Sequence, residues 1–122
     1  MPIIDIECVC KSDADFAKIS AQKCADNIGV VLRTPPGRTW VKLRYLNSAA
    51  YAENQVALGE NELPAFVTVL HAHPPEGAAR ATEVLALTSA VAKCLGRAAD
   101  CVHVQYALAG AGRQAFGGRL VE

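Results

Sequence analysis

Residues 2–10 alternate. Pro2, Ile4, Ile6, Cys8 and Cys10 share one side of an extended chain, and Ile3, Asp5, Glu7 and Val9 share the other. That period of two predicts a strand with one face under helices and a second face that is a semi-polar surface or a subunit seam. The pattern then changes. Ser12 predicts a helix N-cap, with Asp13 and Asp15 in the first turn where the helix dipole favours acids. Ala17, Ala21, Cys24 and Ile28 recur at helical spacing as one narrow stripe. Ser20 widens this stripe with a polar residue, and Ile19 falls off it. Gly29 either closes the helix or sits near its end.

Thr34-Pro35-Pro36-Gly37 predicts a turn, and Trp40–Leu46 a second strand. Arg38, Trp40, Lys42 and Arg44 fall on one face, with Val41, Leu43 and Tyr45 on the other. Residues 47–63 are the least patterned stretch and predict a connection with a short strand or helical turn. Residues 64–70 predict a buried third strand, and His71–Gly77 a loop. From Gly77 to Leu95 the positions Ala81, Val84, Leu85, Leu87, Thr88, Val91, Ala92 and Leu95 form a broad apolar helical stripe, closed by Gly96. Cys101–Leu108 predicts the last strand, and residues 109–118 a turn or hairpin.

The order strand–helix–strand, given twice, predicts two right-handed β-α-β units. They form an α+β fold: a four-stranded mixed sheet with both helices on one face. The uncovered face then needs a partner. The two units show no clear sequence repeat.

Composition narrows the function classes. At 122 residues the chain fits one domain. Hydrophobic residues make up 52%, a surplus that a subunit interface would absorb. The formal net charge is zero, which offers nothing to a nucleic acid. No apolar run reaches the roughly 20 residues of a membrane span, so no membrane partner is expected. A basic, then apolar, leader is absent, and the five cysteines are an odd number spread through core elements. These features predict no disulfide framework and a cytoplasmic, reducing location.

Three groups of residues carry candidate chemistry. Arg38, Lys42 and Arg44 beside Trp40 offer cations to an anionic ligand, or else pair with Asp5 and Glu7. Cys8-x-Cys10 and His71-x-His73 are soft-ligand pairs, but their spacing matches no usual zinc signature. The cysteines read as buried hydrophobes, and no metal or other cofactor is expected. His71 reads as a hydrogen-bonded strand-end residue, with His73 better placed for a site role. Lastly, removal of Met1 would leave Pro2 as an N-terminal secondary amine. An α-amino group titrates at roughly 7.7–8.0, and an apolar pocket lowers that value. An uncharged amine on a rigid strand can act as a general base.

The opening Pro2-Ile3-Ile4-Asp5-Ile6, followed by Lys11-Ser12-Asp13, resembles the start of 4-oxalocrotonate tautomerase and its relatives. Thr34-Pro35-Pro36, Leu70-His71, Val102-His103-Val104-Gln105-Tyr106 and Ala115-Phe116-Gly117-Gly118 resemble landmarks of the longer members of that superfamily, typified by macrophage migration inhibitory factor. The resemblance implies a homotrimer in which Pro2 is the catalytic base of a tautomerase acting on a small 2-oxo acid. It places Lys11 near a site arginine, one position closer to the start. Thr34 falls where a site lysine is usual, with Arg33 able to substitute. Arg38, Lys42 and Arg44 are candidates for the work of a second-strand arginine that falls near Trp40. His103 and Gln105 stand where a neighbouring subunit supplies a Tyr and an Asn, and Phe116 stands at the pocket aromatic. Ala72 replaces the arginine of the dehalogenase branch, with His73 next and Arg80 farther on. Dehalogenation and hydration therefore rank below tautomerisation, with decarboxylation still open. The second reading is a non-catalytic trimeric binding protein, to which the substituted polar positions point.

Overall fold

The computed structural model describes residues 1–122. Strand β1 (Ile3–Cys10) lies at the centre of a four-stranded sheet with β2 (Trp40–Asn47), β3 (Ala65–Leu70) and β4 (Val102–Tyr106), in the order β2-β1-β3-β4. The β1–β2 and β3–β4 pairs are parallel, and β1 and β3 run antiparallel. This is the mixed sheet that the alternation predicts. Even-numbered positions of β1 face the core, so Ile4, Ile6 and Cys8 are fully buried and Cys10 nearly so. Against them pack Cys24 and Ile28 of α2 (Ala21–Leu32) and Leu87, Val91 and Leu95 of α3 (Gly77–Leu95). Both helices therefore cover one sheet face. Each buried Ile or Leu contributes about 1.5–3 kcal/mol of transfer free energy.

The two halves repeat in register though not in sequence. Ile3 faces Trp40 as Ala65 faces Val102. The central ladder also maps onto itself when β1 and β3 exchange, since Ile3 pairs with Leu70 and Cys8 with Ala65. Pro2 and Pro64, both fully buried, are the residues just before the two equivalent strands.

Four expectations need correction. The stretch after Ser12 forms two helices, not one. Ser12 caps α1 (Asp13–Ala17) and Ser20 caps α2, its hydroxyl accepting from the Lys23 amide. Ser20 thus starts a helix and does not lie inside one, and Ala17 and Ala21 are exposed. The second helix runs past Gly29 and ends at Arg33 in the left-handed region. In α3, Leu85 is 74% exposed, while Ala90 takes its place on the buried side. Arg38 lies in the turn before β2 and not on its face; its amide donates to the Pro35 carbonyl. Finally, Cys24 and Cys94 form a disulfide between α2 and α3, with Cα atoms 5.4 Å apart. Two core-facing positions on packed helices come within bridging reach, and linear spacing did not reveal that contact. The cysteine count therefore no longer argues for a reducing compartment. Separately, no helix is long and apolar enough to cross a membrane.

Candidate active site

Pro2 continues β1 by one residue. Its carbonyl accepts from the Trp40 amide at 3.1 Å, which ties it to the start of β2. The pairing of Ile3 with Leu70 makes His71 the residue across from Pro2. Alternation places both on the core side of their strands, with Ile4 and Val69. The chain after β4 closes this end: the Gly110 amide donates to the His71 carbonyl at 2.8 Å, and the Ala111 amide to the Ala72 carbonyl at 3.1 Å. The Met1 side chain is seated so closely on Gly110 that a Cβ there would collide with its methyl group. Removal of Met1 would leave this seat open beside the His71 carbonyl.

An aromatic wall stands at the same end. The indole of Trp40 is half exposed, donates to the Gly37 carbonyl at 3.0 Å and meets Phe116 edge-on at 4.9 Å between ring centroids. Phe116 is held there by a C-terminal hairpin, β5 (Ala115–Phe116) and β6 (Arg119–Leu120). Gly117 and Gly118 turn that hairpin at φ of 56° and 86°, which a glycine adopts without a Cβ penalty.

A polar cluster is built around His71 on the helix side of the sheet. The Glu83 carboxylate of α3 accepts at one oxygen from the Tyr106 hydroxyl at 2.5 Å and lies 3.0 Å from His71 Nε2. The His71 and Tyr106 rings stack with centroids 6.0 Å apart. Arg80 lies over Tyr106, 5.2 Å from its centroid, and its Nε donates to the Pro75 carbonyl. Burial, and then the bond to Glu83, pushes the Tyr106 hydroxyl well above its ordinary range.

The sequence-predicted site residues divide among three places. Trp40 and Phe116 stand at the Pro2 end. Arg33, which caps α2, and Arg38 are the exposed cations of the segment leading into Trp40. His73 is exposed and bonds the backbone oxygen of Glu122. Lys42 and Arg44 lie on the uncovered sheet face. There Lys42 pairs with Asp5 at 3.2 Å, while Arg44 stands opposite Glu7 without an ion pair. That face also holds His103 and Gln105, whose amide donates to Thr68 at 3.2 Å. Asp5, Glu7, Arg44, Phe66, His103 and Gln105 line a cavity of about 480 Å³.

Lys11 belongs to neither group. It follows the far end of β1, is paired with Glu60, and lines a cavity of about 700 Å³ with Lys93 and Arg97. This is the Pro64 end of the internal symmetry. Arg97 holds it together by donating to the Leu63 and Pro64 carbonyls and to the Cys10 sulfur. The Pro64 nitrogen is in a peptide bond, so only the Pro2 end can present a free amine. Sequence reasoning missed Glu83, Tyr106 and Gly110. A signal did exist for Glu83: it is a lone carboxylate within a largely apolar helix, and such a group needs a partner.

No protein-family model matches the chain, and no curated protein matches it. Solved structures do. Pt0534, inactivated by 2-oxo-3-pentynoate, superposes with a TM-score of 0.72 at 16% identity, over 98% of this chain and 94% of its own. The fused 4-OT Q0, a symmetric trimer, gives 0.69 at 17% identity over 98% and 94%. The macrophage migration inhibitory factor of Trichinella spiralis gives 0.68 at 15% identity over 97% and 98%. By its strand order, its register and these matches along nearly the whole chain, this protein has the fold of the tautomerase superfamily.

Proposed function

We propose that the protein is a tautomerase in which Pro2, freed of Met1, is the general base. Its substrate would be a small 2-oxo acid, interconverted between keto and enol forms. The observation that carries this reading is a fully buried proline at the end of a central strand. Removal of Met1 would set its nitrogen beside an opened seat. An amine in such a place loses hydration of its charged form and is held neutral near physiological pH. Pro2 would take the proton from the carbon next to the ketone, and the electron pair would pass to the carbonyl oxygen. Trp40 and Phe116 would shield the site from water, and Arg38 or Arg33 would hold the carboxylate.

A homotrimer fits the uncovered sheet face, and the fused 4-OT that shares this fold is a symmetric trimer. Closure of three sheets would bring His103, Gln105, Lys42 and Arg44 of one subunit towards its neighbours. Lys11, at the opposite end of its own protomer, could reach a Pro2 site only from another subunit.

Intact mass should first establish that Met1 is gone. Incubation with 2-oxo-3-pentynoate should then add one inhibitor mass on Pro2, by attack of the amine on the alkyne carbon β to the ketone, with the amine proton passing to the α carbon. Pro2→Ala should lose the adduct and at least about 100-fold in turnover of phenylenolpyruvate. Equal turnover by mutant and wild type would remove Pro2 from the mechanism.

A further inference from the structure

We infer that His71 is the second proton carrier of the Pro2 site, held for that task by Glu83 and Tyr106. The inference rests on the tautomerase reading and gives it the group that serves the substrate oxygen. Ketonisation needs two proton movements: one onto carbon from the Pro2 ammonium, one off the enol oxygen. No residue so far described accepts the second.

The geometry points to His71 for that step. A carboxylate oxygen cannot donate, and Oε2 of Glu83 already accepts from Tyr106, so His71 Nε2 must carry the hydrogen it shares with Glu83. In a neutral imidazole this fixes Nδ1 as the nitrogen with the free lone pair. Nδ1 has no protein partner, and no side-chain nitrogen or oxygen is sealed from solvent without one, so Nδ1 is accessible. The rest of the ring is held: the side chain is only 14% exposed, Glu83 19%, and the Tyr106 ring stacks on it. Tyr106 is fixed in turn under Arg80. His71 follows the residue paired with Ile3, and its carbonyl lies beside the Met1 seat. A substrate occupying that seat would lie beside the Pro2 nitrogen and the His71 backbone, and on this assignment its oxygen is set against Nδ1.

The step balances. The enol O–H bond breaks and its proton goes to Nδ1. The oxygen electron pair forms the C=O bond, and the C=C pair takes the proton from the Pro2 N–H. Pro2 is left neutral and His71 cationic, with Nε2–H still facing Glu83. Proton exchange with solvent restores both. Enolisation is the reverse.

The test uses full-length protein with Pro2 exposed. His71→Gln should lower kcat for phenylenolpyruvate by about 100-fold with KM changed less than about threefold. It should still be labelled on Pro2 by 2-oxo-3-pentynoate. Glu83→Gln should lower kcat by about tenfold through loss of ring orientation. Wild-type turnover by a His71→Gln protein whose Pro2 can still be labelled in a parallel sample would overturn the His71 assignment and leave the Pro2 reading standing. Failure of the wild type to depend on Pro2 would overturn both. Should His71→Gln fail to fold, nitrogen NMR of the wild-type histidines decides. Saturation with phenyllactate, which keeps the ring, the carboxylate and a 2-hydroxyl but cannot ketonise, should shift the His71 Nδ1 resonance and leave Nε2 in place. An unmoved Nδ1 would overturn the inference.

Discussion

Burial on one strand face would act in opposite senses on Cys8 and on Pro2 freed of Met1. Both point into the core from β1 and both are fully buried. For an amine, burial disfavours the charged acid form and frees the base. For a thiol it disfavours the charged base form and leaves the group inert. Burial pushes the Cys8 thiol from 9.0 up to about 11, only partly opposed by the nearby Arg97. Cys8 should therefore resist alkylation at neutral pH in the folded protein. The sign for stability follows. The unfolded thiol loses its proton from pH 9.0 while the folded one keeps it, so the contribution is intact below 9.0 and falls away as the pH rises towards about 11. The loss is about 1.4 kcal/mol per pH unit in that window. Tyr106 titrates in the same sense, so the comparison is with Cys8→Ala. Urea midpoints of wild type and variant should converge as the pH rises from 9.0, and parallel curves would show that Cys8 is not the source.

At the level of elements, the disulfide joins α2 to α3 across a sequence separation of 70 residues. Each helix packs on a different half of the sheet, so this bond ties the two β-α-β units together on their covered side. Closing so long a loop restricts the unfolded chain, an effect of about 2–4 kcal/mol. Cys94→Ser should lower the unfolding free energy by that amount in denaturant titrations without reductant. In reducing buffer the wild type should fall to the level of the variant. An identical midpoint for wild type with and without reductant would mean that the bond is not formed in solution. The α1–α2 break is a second lesson at this scale. Ser12, expected as a cap, and Ser20, expected inside the stripe, each accept a backbone amide hydrogen bond at the start of a helix, and that local bonding divides the segment in two.

For the whole molecule, the decisive feature is the bare sheet face. Ile3, Trp40 and Leu70 form one row across it, Lys42, Asp5, Thr68 and Gln105 a second, and Arg44, Glu7, Phe66 and His103 a third. An apolar row beside two rows of charges and amides suits an interface whose polar groups find partners on another copy. Sedimentation should give about three times the 12.9 kDa protomer mass. Phe66→Asp adds a charge beside Glu7 and should release protomers that keep their helical circular dichroism. Sedimentation of the wild type as a single protomer would overturn the trimer, and with it the site roles given to His103 and Gln105.

The sequence by itself determined the order of the four sheet strands, the extent of α3 from Gly77 to Leu95, the core face of β1 and the position of Pro2, though the last strand is shorter, Val102–Tyr106, than the expected Cys101–Leu108. Each of these follows from a local period or a local cap, which a short window of residues carries. It could not determine which residues share a place when they lie far apart along the chain. Tertiary structure alone brought Cys24 to Cys94, sent Lys11 to the end opposite Pro2, and set Glu83 and Tyr106 on His71. Those contacts depend on strand register and helix docking, and both are fixed by burying the whole core at once.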